Sequence, residues 1–304
     1  MTDHGTVKIN IQSRREIWRS YRRHPMALVE FLLVHLAALL AALVVLFLIF
    51  YILITGVPHI QKDLFAWTWT TKNQSMLPAL INTLVMTVLS LLLAVPVGIG
   101  GAIYLVEYAS RGNRLVRLIR LTAETLQGIP SIVYGIFGYV FFNVALGWGF
   151  SMLAGAMTLA IMILPLILRT TEEALMAVPD SYREGSFGLG AGKLRTVFRI
   201  ILPAAMPGVL AGILLGIGRI MGESAALIYT AGSGTGNLAF HSQGQFSLTA
   251  PLFQSARTLS VHMYCLMNEG LYTDQAHATA VVLLVLVIGL NALSSWAAKK
   301  LTKQ

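Results

Sequence analysis

Two runs of this sequence hold residues that could act on a charged solute or on a neighbouring subunit. The first is Gly218-Arg219-Ile220-Met221-Gly222-Glu223-Ser224, set in an otherwise apolar stretch. An arginine and a glutamate four apart share one helix face and can pair. A charge at membrane depth is costly unless it is paired or wet, so the pair is either a lock between helices or subunits or part of a solute path. In the second reading, which is the one favoured, Arg219 attracts an anion and Glu223 keeps the site from holding it too tightly to release. The second run begins at Ser181 and Glu184-Gly185-Ser186, continues after three residues to Gly190, and after nine more reaches Ile200-Ile201-Leu202-Pro203. Pro179 cannot continue an upstream helix, and Ser181 with Glu184 forms the pattern of a capping box. Gly188, Gly190 and Gly192 then supply a stop and a sharp turn before the basic residues Lys193, Arg195 and Arg199. The spacing predicts a short helix held by two long ones. A capped loop helix alone would explain the serine and glutamate, but not the distance through Gly190 to Leu202-Pro203.

The elements that must position these runs are membrane spans. Hydrophobic residues make up 56% of the 304 and charged residues only 12%, with a mean hydropathy of +0.71. No soluble domain of this length needs that much apolar surface for one core. Apolar stretches long enough to cross a bilayer fall at about 31–55, 78–106, 121–147, 150–169, 204–230 and 275–297, the third and fifth interrupted by Gly and Pro. The fold class expected is all-α, a polytopic protein of about six spans with both termini on one side. Basic residues give the side. They cluster before the first span, after the second (Arg111 to Arg120), after the fourth (Arg169 to Arg199) and at Lys299, Lys300 and Lys303, whereas the opposite loops carry only Lys62, Lys72 and Arg257. This bias puts the N- and C-termini in the cytoplasm, in a multi-pass arrangement. The domains expected are a basic tail over 1–30, a transmembrane domain over 31–298 with a cytoplasmic loop at about 170–203 and an external loop at about 231–274, and a tail over 299–304.

Several function classes are set aside by the same reading. The formal charge of +9 is a topology signal, so no nucleic-acid partner is implied. The first span ends at Thr55-Gly56-Val57-Pro58 without a small-residue cleavage pattern and reads as a retained anchor. Ser13 to His24, with Ile17, Trp18 and Tyr21 among arginines, reads as a positive anchor, or as a segment along the headgroups. Cys265 is the only cysteine, and the seven histidines form no helical metal-binding pair. No Gly-x-Ser-x-Gly elbow is present. A phosphate-cradling loop ending at Gly192-Lys193 would need Gly at Phe187 and Ser or Thr at Leu194. The chain is therefore not expected to be an enzyme or to bind a metal or cofactor, and any ATP and Mg belong to a partner polypeptide.

Inside the spans, Gly208, Gly212 and Gly216 repeat at four-residue spacing, with Gly218 and Gly222 on a neighbouring stripe, which permits close helix approach. Pro96, Pro130, Pro165 and Pro207 interrupt helical bonding, and broken helices at membrane depth are tolerated where protein or a watery path lies alongside. That places Gly128-Ile129-Pro130-Ser131 beside a possible path.

The run from Glu184 to Pro203 resembles the signature loop of ABC importer permeases, Glu-Ala-Ala-x3-Gly-x9-Ile-x-Leu-Pro. Gly185 and Ser186 stand where the family has two alanines, which predicts a weaker helix there. Further runs, Pro96-Val97-Gly98, Tyr104-Leu105-Val106-Glu107-Tyr108, Gly128 to Gly135, Arg169 to Leu175 with Val178-Pro179, and Gly218 to Ser224, are together similar to the phosphate-specific importer permeases. The likeness covers roughly 78–297. It implies a bacterial inner-membrane permease with a methionine-importer-like core. It also implies a sibling permease, two copies of an ATPase and an external phosphate-binding protein as partners. By the same resemblance Arg219 and Glu223 serve phosphate passage, with Ser224 keeping the hydroxyl of the family's threonine, and Ser131 lies near the path. Ser181, Glu184, Gly185, Ser186, Gly190, Leu202 and Pro203 would form the element that docks into the ATPase. Two rivals are a permease for another oxyanion, such as molybdate or sulfate, and a secondary transporter in which Arg219 and Glu223 relay protons.

Overall fold

The computed structural model describes residues 25–110, 112–235, 241–242, 245–246 and 250–302. Contacts divide the chain into Met1–Ile54 and Thr55–Gln304. The first unit is dominated by α1 (Pro25–Gly56), which starts before residue 31 because Pro25 has the fixed φ that opens a helix. It is apolar on every side, as expected of a span facing lipid. The segment Ser13–His24 lies outside the described residues.

The second unit carries everything else. α2 (Leu77–Ile103) runs on into a π-helical turn, Tyr104–Tyr108. α3 (Arg114–Gln127) is followed by α4 (Ser131–Gly138), which continues as a π-helical stretch to Ala145. α5 (Met152–Met176) leads to the short α6 (Asp180–Gly188). Then come α7 (Lys193–Thr196), a π turn at Val197–Ile201, and α8 (Leu202–Met221). α9 (Ala225–Thr230), α10 (Leu259–Glu269) and α11 (Thr273–Thr302) complete it. A two-residue hairpin pairs His241 with Phe246 in the loop before α10.

Among the described residues five helices are long and apolar enough to cross a membrane, and a sixth crossing exists only if α3 and α4 count as one span bent by 104°. The third span, expected over 121–147 with an interruption by Gly and Pro, is a broken pair that begins earlier, at Arg114. Pro130 has no N–H to give and pushes Ile129 out of the helical region, so α3 must end there. Gln127 at that end is held by its Nε2 donating to the Pro165 carbonyl at 3.0 Å.

α5 is the centre of the unit. Leu159, Ile163 and Ile167 on it are fully buried, together with Met86 of α2. Small residues let the neighbours approach: a Cβ on Gly98 would lie 2.8 Å from the Ile167 side chain, and one on Gly208 2.6 Å from that of Ala174. Gly212 abuts Thr170 in the same way, so the glycine stripe of α8 packs on α5. The second stripe differs, since Gly218 has no such neighbour.

Two loop boundaries also change. α5 continues to Met176, well inside the loop expected from 170, because its charged end is paired: Arg169 bonds Glu173 at 3.1 Å, and Arg120 lies 2.6 Å from Glu172. The stretch 231–274 is not a plain loop, since α10 within it buries Leu259, Val261 and His262. The helix of the last span runs to Thr302, past the expected tail boundary at 299.

Candidate functional site

α8 ends at Met221, where Gly222 donates its N–H to the Gly218 carbonyl at 3.3 Å and closes the last turn. Arg219 thus lies in the final turn and Glu223 lies beyond it. The expected pairing on one helix face is not formed, and among the described residues no ion pair joins the two. Glu223 turns the other way, accepting the Ala226 N–H at 3.0 Å and satisfying an orphan donor at the start of α9. Its carbonyl accepts the Ser260 hydroxyl at 2.6 Å, so the break is also tied to α10. Glu223 is buried, whereas Arg219 is half-buried. Ser224 occupies the position before α9, where its carbonyl accepts the Ile228 N–H at 3.0 Å.

The second break faces the first. A Cβ on Gly135 of α4 would fall 2.7 Å from the Ala226 Cα, so α4 and α9 touch backbone to backbone. Tyr134 beside it donates its hydroxyl to the Leu126 carbonyl at 2.8 Å across the α3–α4 bend, and that hydroxyl lies within electrostatic range of Arg219. Ser131 opens α4 and is half-buried, but no hydrogen bond joins it to Arg219 among the described residues. An apolar groove of about 310 Å³ runs past this bend, lined by Leu126, Ile129, Val133, Tyr134, Phe137 and Ile161. Sequence reasoning missed Tyr134, whose signal was its place four residues beyond Pro130.

The loop between α5 and α8 forms as a compact hook. α6 begins at Asp180 after Pro179, two residues earlier than the capping box requires, so Ser181 is within the first turn and caps nothing. Asp180 supplies the negative charge that the helix start favours. The end of α6 is a Schellman turn: Ala191 donates to the Ser186 carbonyl at 3.1 Å and Gly190 to that of Phe187 at 2.9 Å. Gly190 has φ +81, the left-handed conformation that favours glycine there. Ser186, where the family has alanine, is buried and shares a 2.7 Å hydrogen bond with the Thr196 hydroxyl. The departure from the motif therefore cross-links the two arms of the hook. Gly185 meets no neighbour, Glu184 is exposed, and Leu189 is 91% exposed at the tip. In the Ile-x-Leu-Pro run, Ile201 is fully buried against the Leu175 and Val178 cluster, Leu202 is half-buried, and Pro203 opens α8 from the exposed side.

Two arginines outside the predicted set, the half-buried Arg183 and the buried Arg257, organise the ends of the unit. Arg183 of α6 reaches Glu107 in the π turn after α2, at 2.8 Å. The sequence showed both residues, but separated by 76 positions only the fold joins them. On the opposite side, Arg257 donates through Nε and Nη2 to the Ser233 carbonyl, at 3.0 and 2.8 Å, and lies over the Trp69 ring. Its Nη1 lies 3.2 Å from Nδ1 of His262. Because arginine can only donate, Nδ1 must accept, and the proton sits on Nε2. Burial and the Arg257 charge push the His262 pKa down to about 4, and burial lowers that of Arg257 as well.

Residues 94–304 match the family of binding-protein-dependent transport system inner membrane components. Over 271 residues the chain is 34% identical to a probable ABC transporter permease protein, YqgI of Bacillus subtilis (strain 168), covering 86% of this chain and 90% of that one. It is 38% identical over 173 residues to the phosphate transport system permease protein PstA 1 of Mycobacterium tuberculosis (strain ATCC 25618 / H37Rv), covering 54% and 56% respectively. A bacterial alginate ABC transporter in complex with an alginate-bound periplasmic protein shares the fold with TM-score 0.63 at 18% identity, over 94% of this chain and 98% of that one. The MetNI methionine ABC transporter does so with TM-score 0.51 at 21% identity, over 75% and 93%.

Proposed function

This chain belongs to the binding-protein-dependent transport system inner membrane component family, as a multi-pass permease of an ABC importer, and we propose that the solute it passes is inorganic phosphate. The observation that carries the reading is the arrangement at the α8 break. The Glu223 carboxylate is taken up by the start of α9, and Arg219 is left without a carboxylate partner among the described residues. A guanidinium in that state offers a planar, two-point donor that matches a phosphate. The likeness to a phosphate transport permease supports the choice of anion over sulfate or molybdate.

In this reading α6 docks into a separate ATPase subunit, with Glu184 and the exposed Leu189 on the docking side, and Gly190 keeping the turn. The full machine would contain a sibling permease, two ATPase copies holding ATP and Mg, and an external phosphate-binding protein, with both termini of this chain cytoplasmic. The test is uptake of labelled phosphate by vesicles holding the whole assembly. Uptake should require internal ATP and resist excess sulfate and molybdate. Equal competition by those anions would overturn the phosphate assignment, and uptake driven by a proton gradient without ATP would overturn the importer mechanism.

A further inference from the structure

We infer that Arg183 and Glu107 form the link through which movement of α6 is passed to α2 and α5, a positioning role that rests on reading α6 as the ATPase-docking helix. A guanidinium has five N–H donors, and here all five are engaged. Nε and Nη2 donate to Oε1 of Glu107 at 3.0 and 2.8 Å. Nη1 donates to the Val178 carbonyl at 2.9 Å and to Oδ1 of Asp180 at 3.0 Å. The second Nη2 donor meets the Leu175 carbonyl at 3.0 Å. One side chain on α6 thus grips the π turn that follows α2, the Leu175 carbonyl in the last turn of α5, which carries the negative end of that helix dipole, and the Val178 carbonyl just beyond it.

The rest of α6 is loosely held by comparison. Gly185 and Gly188 meet no neighbour, Glu184 is exposed, and Ser186 ties the helix only to its own hook. The Arg183 and Glu107 side chains are 16% and 8% exposed, so breaking the pair strands a charge in poor solvent. Both exits from the linked region are π-helical, at Tyr104–Tyr108, which contains Glu107, and at Val197–Ile201. Single π turns break the regular ladder and recur at functional sites, which suits segments that must bend. A cleft of about 510 Å³ borders the pair, lined in part by Ser110, Arg120 and Asp180, and leaves room for it to shift.

The experiment measures ATP hydrolysis and phosphate uptake together, using the complete assembly in proteoliposomes. In Glu107→Gln and Arg183→Gln, assembly and hydrolysis should stay within about 2-fold of normal, while uptake per ATP falls ~10-fold, the scale of a lost charged hydrogen bond. The double variant should be no worse than either single one, since both remove the same link. Arg183→Lys should fall between, because an ammonium keeps the charge but not the fork. An unchanged uptake-to-ATP ratio in Glu107→Gln, or losses that multiply in the double variant, would overturn the inference. If Arg183→Gln fails to assemble, Glu107→Gln still decides, because it keeps the carbonyl contacts of Arg183. An assembly that moves another anion with ATP would overturn the phosphate reading and leave the ratio measurable with that anion.

Discussion

The α8 break and the α6 hook both hold a buried carboxylate near an arginine, yet they treat the charges in opposite ways. At the hook Glu107 and Arg183 bond directly at 2.8 Å. At the break Glu223 bonds the N–H of Ala226, and Arg219 is left half-buried with Tyr134 in electrostatic range. A paired charge fixes two elements relative to each other, while a charge whose expected partner is satisfied by a helix start remains available to a mobile anion. In the function proposed above, that difference would separate a region that transmits force from one that holds a solute briefly.

The largest effect should come from removing the available charge. Arg219→Gln should lower phosphate uptake on the order of 100-fold, the equivalent of about 3 kcal/mol for a charged hydrogen bond, with assembly and hydrolysis retained. Because Arg219 and Glu223 do not pair, neutralising both should leave uptake as low as Arg219→Gln alone. Near-normal uptake by the double variant would mean that the pair forms during transport and would erase the contrast between the two regions.

Next in size is the turn that shapes the hook. Gly190→Pro forces a φ near −65° where the chain needs +81 and deletes the donor to Phe187. The ATPase should then copurify poorly while the amount in the membrane stays near normal. Glu184→Lys should act in the same direction through the exposed face. Normal copurification in both would remove α6 from the force-transmitting region.

The contrast between the two regions is only partly legible in the sequence. Gly190 was legible because a left-handed turn leaves a glycine at a fixed distance from the helix it ends. Proline at 130 announced a break, though not its 104° angle, which depends on how α3 packs. The spacing of Arg219 and Glu223 misled because i,i+4 logic assumes an unbroken helix, and Gly222 followed by a polar residue ends one. Ser181 misled for a related reason, since Asp180 was an equally good first-turn residue one place earlier. The Arg183–Glu107 link was invisible to local pattern, because only tertiary packing brings the two together.

A third region offers an intermediate case, in which an arginine pairs with a neutral base. His262 has a pKa near 4 in the folded chain against an ordinary 6.5, so between those values the unfolded chain takes up the proton and the folded one resists it. Stability should therefore be full above about pH 6.5 and decline as pH falls toward 4, by roughly 3 kcal/mol at the limit. Thermal unfolding of the purified assembly across pH 7.5 to 5 measures this, and His262→Gln should flatten the acid slope. An unchanged slope would mean that the proton is taken up elsewhere and that Arg257 does not hold His262 neutral.

The smallest expected effect sharpens the comparison from inside the hook. Ser186 and Thr196 form a buried, uncharged bond within a few residues of the charged link, so they isolate what mere cohesion of the hook contributes. Ser186→Ala also restores the family's usual residue, which gains helix propensity while leaving the Thr196 hydroxyl with the Gly192 carbonyl as acceptor at 3.2 Å. These changes oppose each other, and a neutral hydrogen bond is worth only about 1 kcal/mol net. Melting should shift by no more than a few degrees, and uptake per ATP should stay normal, because the link to α2 and α5 runs through Arg183. A loss of uptake per ATP as large as that expected for Glu107→Gln would show that stiffness of the hook, rather than a specific charged contact, carries the motion.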